Sequence, residues 1–188
     1  MNNHLDYEIN KELGECYLFM GDMDKAEDYY RKAVDANNGH ASPYLGLAAI
    51  AIQRGALEDA LTLYTKAASI EPNDKSLTGV GLVKMELGAH EEAFVCFSRA
   101  LGHNPENAVA LNCIVREGYN LSRLEEVVPH LQACLESAPD KEAVRVTLAG
   151  CLMSLGKNEE ARHHLEAVLG ENPANTGAQE LFNNIAAA

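Results

Sequence analysis

No stretch of this sequence concentrates lysine or arginine: 15 basic residues stand against 28 acidic ones, for a formal net charge of −13. Phosphate backbones are held by clustered cations that displace counterions, so nucleic acid is not an expected partner. Long apolar runs are missing too. The longest, Tyr44 to Ile52, has nine residues, against roughly 20 for a helix that spans a bilayer. The amino terminus, Met1-Asn2-Asn3-His4, lacks the basic-then-apolar pattern of a secretory signal. The five cysteines (Cys16, Cys96, Cys113, Cys134 and Cys151) are odd in number and include no Cys-x-x-Cys pair, which disfavours a disulfide framework and favours a reducing compartment. The expectation is a soluble, cytoplasmic chain with no membrane insertion.

Catalytic signatures are equally scarce. There is no Gly-x-x-x-x-Gly-Lys-[Ser/Thr], no Gly-x-Ser-x-Gly and no His-Glu-x-x-His. Gly79-Val80-Gly81 lacks the third glycine and the preceding strand of a nucleotide fingerprint. His163 and His164 are adjacent on a helical pattern, about 100° apart, and cannot both face one metal ion. The acidic pairs Glu58-Asp59, Glu91-Glu92, Glu125-Glu126 and Glu159-Glu160 recur at one place in a repeating pattern, where negative charge complements a helix amino terminus. The cysteines fall at small or apolar helix positions and read as buried small hydrophobes. The sequence is therefore expected to be neither an enzyme nor a metal or cofactor protein.

What the sequence does hold is a repeat. The apolar fraction, 47%, is that of an ordinary globular protein. Gly21 to Ala26, Gly55 to Ala60, Gly88 to Ala93, the degenerate Ser122 to Val127, and Gly156 to Ala161 align at spacings of 34, 33, 34 and 34 residues. A period of this kind decides the architecture before any local reading. Four residues after each segment stands a large side chain (Tyr30, Tyr64, Phe97, Leu131, Leu165), and three further on a mostly small one (Ala33, Ala67, Ala100, Cys134, Val168), which is one face of a helix. Asn38 or a proline (Pro72, Pro105, Pro139, Pro173) then closes the unit. The glycine at the head of each segment follows another helical pattern and suits a left-handed helix end. Each unit is predicted to be helix, tight turn, helix.

The Leu13-Gly14 pair with Tyr17, Gly21, Ala26, Tyr30 and Ala33, and their counterparts in the later units, resemble the tetratricopeptide repeat. The resemblance places repeats at 7–40, 41–73, 74–107, 108–141 and 142–175, with a capping helix at 176–188 carrying Leu181, Phe182 and Ile185. It implies an all-α, right-handed solenoid of antiparallel helix pairs, whose first helices line a concave groove. The fourth unit departs most. Val115 replaces a small residue, Gly118 replaces an aromatic one, and Pro129 falls inside the second helix, so a kink or looser packing is expected there. The third unit is one residue short, in the Asn73-Asp74-Lys75 linker, and has Lys84 where an aromatic is usual.

A helical wheel at 100° per residue separates a core face of each first helix from a second arc, which the resemblance turns toward the groove. That arc carries Lys11, Leu18 and Phe19 in the first unit, Leu45 and Ile52 in the second, and Lys75, Leu82 and Met85 in the third. Asn112, Arg116, Tyr119 and Asn120 follow in the fourth, and Met153 in the fifth. An arc that merely faced water would be polar, and apolar side chains on it point to capture of a protein or peptide segment, with Arg116, Tyr119, Asn112 and Asn120 as the hydrogen-bonding end. Coverage of these residues by tight superhelical curvature or by the amino-terminal segment, and contact between copies in a homo-oligomer, are the alternative readings. Some members of the family clamp an acidic carboxy-terminal peptide of a chaperone. Lys11 and Lys75 match that pattern but Glu15, Gly46 and Gly79 do not, and the asparagine ladder of some sugar-transferase repeats is replaced by Glu12, Gly46, Gly79, Cys113 and Thr147. The expected function is a scaffold or adaptor. A secretion-type chaperone for an apolar export substrate is one alternative. A regulatory or targeting array of a larger enzyme is another, suggested by repeats that leave almost no flanking sequence.

Overall fold

The computed structural model describes residues 3–187, and every regular element among them is an α-helix. Met1 and Asn2, part of the amino-terminal reading, and Ala188, the last residue of the expected capping helix, lie outside the described residues. The chain divides into two compact units, one ending at His103 and the other beginning at Asn104. The first holds α1 (Asn3–Phe19), α2 (Met23–Ala36), α3 (Ser42–Gln53), α4 (Leu57–Ile70), α5 (Asp74–Glu86) and α6 (His90–His103). The second holds α7 (Ala108–Asn120), α8 (Leu124–Ser137), α9 (Glu142–Ser154), α10 (Asn158–Glu171) and α11 (Thr176–Ala187). No helix among the described residues is long and apolar enough to cross a membrane.

Five equivalent turns join the helices into pairs. Gly21, Gly55, Gly88 and Gly156 have φ between +74° and +80°, and Ser122 takes the same left-handed conformation at +57°. Each turn closes with a hydrogen bond from the residue after it to a carbonyl five residues back, Asp22 N to Tyr17 O at 2.9 Å and Arg123 N to Gly118 O at 2.8 Å among them. This satisfies carbonyls that the first helix leaves without a partner. The degenerate segment at Ser122 thus keeps the turn that the alignment assigns to it. The linker at 71–73 is the short one, and Asn73 caps α5 there: its side chain accepts from Ser76 N at 2.9 Å, and Ser76 Oγ accepts from Asn73 N at 3.1 Å.

Rings seated on glycines hold successive helices together in the first unit. Tyr30, 2% exposed on α2, lies between Gly14 of α1 and Gly46 of α3, and a Cβ added at Gly14 would stand 2.7 Å from its ring. Tyr64 fills the space over Gly79 of α5, and Phe97 the space over Gly81, where a Cβ would stand 2.6 Å away. Ala26, Leu47 and Ile50 complete the cluster around Tyr30, with Tyr17, Leu18 and Leu63 against its edge. In the second unit Ile114, Leu131, Leu148, Leu152 and Leu165 are fully buried, and Ala178 and Ile185 of α11 close the end of that core.

The fourth pair differs as the sequence leads one to expect, though not in every respect. The backbones of α7 and α8 approach each other over less of their length than those of any other pair. Pro129, however, does not break α8, which runs on to Ser137. It stands exposed in the second turn, where the cost is one hydrogen bond to a carbonyl near the helix start.

Candidate functional site

The arc of first-helix side chains is accessible in both units. In the first unit Leu18, Leu45, Leu82 and Met85 are half-buried, while Phe19 and Ile52 are exposed. Thr78, on the same arc of α5, is buried. The two lysines differ in state. Lys75 is exposed, whereas Lys11 is half-buried and donates to Glu8 at 2.6 Å, an exchange that raises the ammonium pKa and lowers that of the carboxyl. The arc of this unit is an apolar shelf whose α1 end carries the Lys11–Glu8 pair and the exposed Glu15, which accepts from Ser42 Oγ at 3.4 Å.

The second unit presents the polar part. Asn112, Arg116, Tyr119 and Asn120 are exposed along one face of α7, because positions three and four apart on a helix share a side. The Tyr119 hydroxyl lies 3.2 Å from Ser154 Oγ on α9, and Ser154 also reaches the Gly150 carbonyl at 3.1 Å. Ser154 has one proton, so donation to Gly150 leaves it the acceptor for Tyr119. Burial of the ring pushes the Tyr119 phenol above its ordinary value, with the Ser154 hydrogen bond acting in the opposite sense. Tyr119 therefore remains neutral and positioned at physiological pH. Arg116 Nε lies 3.5 Å from the Glu117 carboxylate, which is buried, while the Arg116 side chain itself is 57% exposed. Met153 is half-buried beside them on α9. A Cβ at Gly150 would lie 4.0 Å from both the Tyr119 hydroxyl and Leu181 of α11, so α11 bounds this surface on one side.

The glycines at 46 and 79 explain the missing clamp and ladder in physical terms. Any side chain there would collide with the rings of Tyr30 and Tyr64, so the positions serve packing and cannot hold a hydrogen-bonding asparagine. Of the five cysteines expected to be buried, Cys16 is exposed on α1. The thiols of Cys96, Cys113, Cys134 and Cys151 are pushed up by burial, which keeps them protonated and poorly nucleophilic. No group of three or more metal-ligating side chains is gathered among the described residues.

One feature of the first unit is not marked by any motif. A cleft of about 350 Å³ opens between α2, α3 and α4, floored by Leu47, Ile50 and Leu63. On its rim Glu27 accepts from Arg31 at 2.6 Å and from Arg54, which also pairs with Asp24 at 2.7 Å. These groups lie 27 and 30 residues apart in the chain and meet only because the second pair stacks on the first. Glu27, Arg31, Arg54 and Asp24 are spent on one another and form a strap between the pairs, while Asp59 also lines the cleft.

Residues 20–78 and 121–185, well over half of the chain, match the family profile described as tetratricopeptide repeat. Among curated proteins the chain is similar to the BBSome complex member BBS4 of Bos taurus, 34% identical over 110 residues, which are 58% of this chain and 21% of that protein. It is also similar to the DnaJ homolog subfamily C member 7 of Homo sapiens, 27% identical over 186 residues, 91% of this chain and 37% of that one. The chain thus spans well under half the length of these relatives. Among solved structures it resembles Pseudomonas aeruginosa pilF, with a TM-score of 0.72 at 18% identity over 99% of this chain and 85% of that one. It also resembles YrrB, described as a TPR protein with an unusual peptide-binding site, with a TM-score of 0.67 at 17% identity over 91% and 89%. At these identities the structural likeness shows the fold alone.

Proposed function

The chain belongs to the tetratricopeptide repeat family, and from that premise we propose that it is a non-catalytic scaffold or adaptor that captures a protein segment on the exposed arc of its first helices. The repeats make it a protein-interaction module in the coarse sense. The observation that carries the finer reading is the composition of the arc. Leu45, Ile52, Leu82 and Met85 leave apolar surface open in one unit, and Asn112, Arg116, Tyr119 and Asn120 present oriented hydrogen-bonding groups in the other. Apolar area supplies affinity and the polar groups supply register. Lys11, Phe19, Lys75 and Met153 extend the same two surfaces. The partner envisaged is a segment with apolar side chains and exposed carbonyls or carboxylates, since Arg116 and the asparagines can donate to them.

A second reading is favoured by the likeness to a member of the BBSome complex: the captured segment belongs to a lasting multiprotein assembly and not to a passing client. The test common to both is a pull-down from native lysate with the Arg116→Glu variant, paired with a thermal melt. Capture should weaken by about 1 to 3 kcal/mol, roughly five- to 150-fold. Because Arg116 faces the buried Glu117 carboxylate, the melting temperature should fall as well. Asn112→Glu, at an exposed position of the same face, should weaken capture with the melting temperature nearly unchanged. Retention of all partners by a folded Arg116→Glu protein would sink the assignment of this arc.

A further inference from the structure

Four of the most exposed large apolar side chains among the described residues belong to one helix and the residue that follows it. Leu5 and Ile9 of α1 are 52% and 48% exposed, and Phe19 and Met20 at its carboxyl end are 94% and 72% exposed. Cys16 between them is exposed as well. At 100° per residue Leu5, Ile9, Cys16 and Met20 share a strip about 60° wide that runs the length of the helix, with Phe19 and Glu12 along one edge. The strip is distinct from the arc of Lys11 and Leu18, which lies on another side of α1.

Two of these positions are interior on later helices of this unit, whereas Leu5 and Met20 correspond to the exposed Gly39 and Arg54. Cys16 corresponds to Ile50 of α3 and Val83 of α5, which are 2% and 0% exposed, and Ile9 corresponds to the buried Pro43 and Ser76. There the preceding helix pair lies on them, α2 against α3 and α4 against α5. The middle of the strip is thus a face by which this fold packs helix on helix, left bare among the described residues, and Leu5 and Met20 extend it with larger apolar side chains than a solvated face needs.

Charge selects the occupant. The first pair, from 3 to 36, carries nine acidic side chains against four basic ones. Of the four, Lys11 is tied to Glu8, Lys25 to Asp22 and Arg31 to Glu27. Glu12 stands at the strip itself, with Asp6 and Glu8 beside it. A second copy of the chain would set the same carboxylates against each other, which is repulsive. We infer that the outward face of α1 docks an amphipathic helix of a partner protein whose apolar stripe is flanked by lysine and arginine, without the ring-on-glycine seat by which α2 meets α3, since Glu12 stands at the position of Gly46.

The probe is a fluorescent helical peptide of about 18 residues with a leucine stripe flanked by lysine and arginine, titrated into the full chain beside a twin flanked by glutamate. The basic peptide is expected to bind at least about tenfold more tightly than its twin, and more weakly as salt rises. Ile9→Glu and the milder Ile9→Ser should each lower its affinity by about tenfold or more, with unchanged melting, since Ile9 is exposed. The glutamate variant is decisive, because added negative charge would strengthen a merely diffuse attraction. Arg116→Glu should leave this binding unaltered, which separates the surface from the one proposed above. Equal binding of the two peptides, undiminished binding to Ile9→Glu, loss in Arg116→Glu, or a concentration-dependent dimer that Ile9→Glu abolishes would each overturn the inference.

Discussion

Tyr30 and the glycines on either side of it show how single residues set the spacing of whole helices. A methyl group at Gly46 or Gly79 would enter the ring of Tyr30 or Tyr64, whereas one at Gly102 would meet nothing within 4 Å. Gly46→Ala and Gly79→Ala should therefore destabilise by about 1 to 3 kcal/mol through overpacking. Gly102→Ala should be neutral or stabilising by up to about 1 kcal/mol, because alanine favours the helix and little else changes. Denaturant titration of the three variants checks the contrast, and equal effects would contradict it. In the fourth pair the sizes are exchanged: Val127 stands where the other pairs have alanine, and a Cβ at Gly118 would collide with it. Gly118→Ala should cost about 1 to 3 kcal/mol alone and distinctly less in a Val127→Ala background, a coupling that a double-mutant cycle measures directly.

At the scale of the helix and turn, Ser122 holds a conformation that costs a side-chain-bearing residue roughly 1 to 2 kcal/mol and that glycine adopts freely. Ser122→Gly should raise stability by about 1 kcal/mol, while glycine elsewhere in the exposed part of α8 should lower it. The strap between α2 and α3 is sensitive to acid. Hydrogen bonds from Arg31 and then Arg54 hold the Glu27 carboxyl below its ordinary value of 4.5. Its contribution is present in full above that value and is lost as the pH falls through the depressed one. Glu27→Gln should thus flatten the decline of melting temperature between about pH 5 and pH 3, and an unchanged slope would remove Glu27 from the account. The turns and the helix pairs are legible in the sequence because the repeat supplies five readings of one pattern, enough to place Ser122 despite its chemistry. The linker expected at Asn73-Asp74-Lys75 is not, since Asp74 and Lys75 already belong to α5 and only Asn73, its cap, lies outside. The role of Gly46 and Gly79 is not legible, since the ring that fills each comes from the preceding pair and leaves no local periodicity. Tyr119 and Ser154 are 35 residues apart and look unrelated until α7 and α9 lie side by side. The bare face of α1 occupies positions that are buried on α3 and α5 at Ile9 and Cys16, and Glu12, where those helices have Gly46 and Gly79, distinguishes it in the sequence.

Over the whole molecule the net charge is −13; Val95 is exposed on the second helix α6, whereas Leu5, Ile9, Phe19, Ile52, Val109 and Tyr119 are exposed on first helices. The central claim is that partners are held there. The most direct measurement places a photo-crosslinking benzoylphenylalanine at Leu45, Leu82, Asn112 or Met153 on the first helices, and at Lys66, Gln132 or Glu166, exposed on α4, α8 and α10. After irradiation in native lysate, the first set is expected to give adducts of the same partner protein from several positions, and the second set none of it. Adducts of that partner from Lys66, Gln132 or Glu166, with none from the first helices, would contradict the claim and move recognition to the second helices.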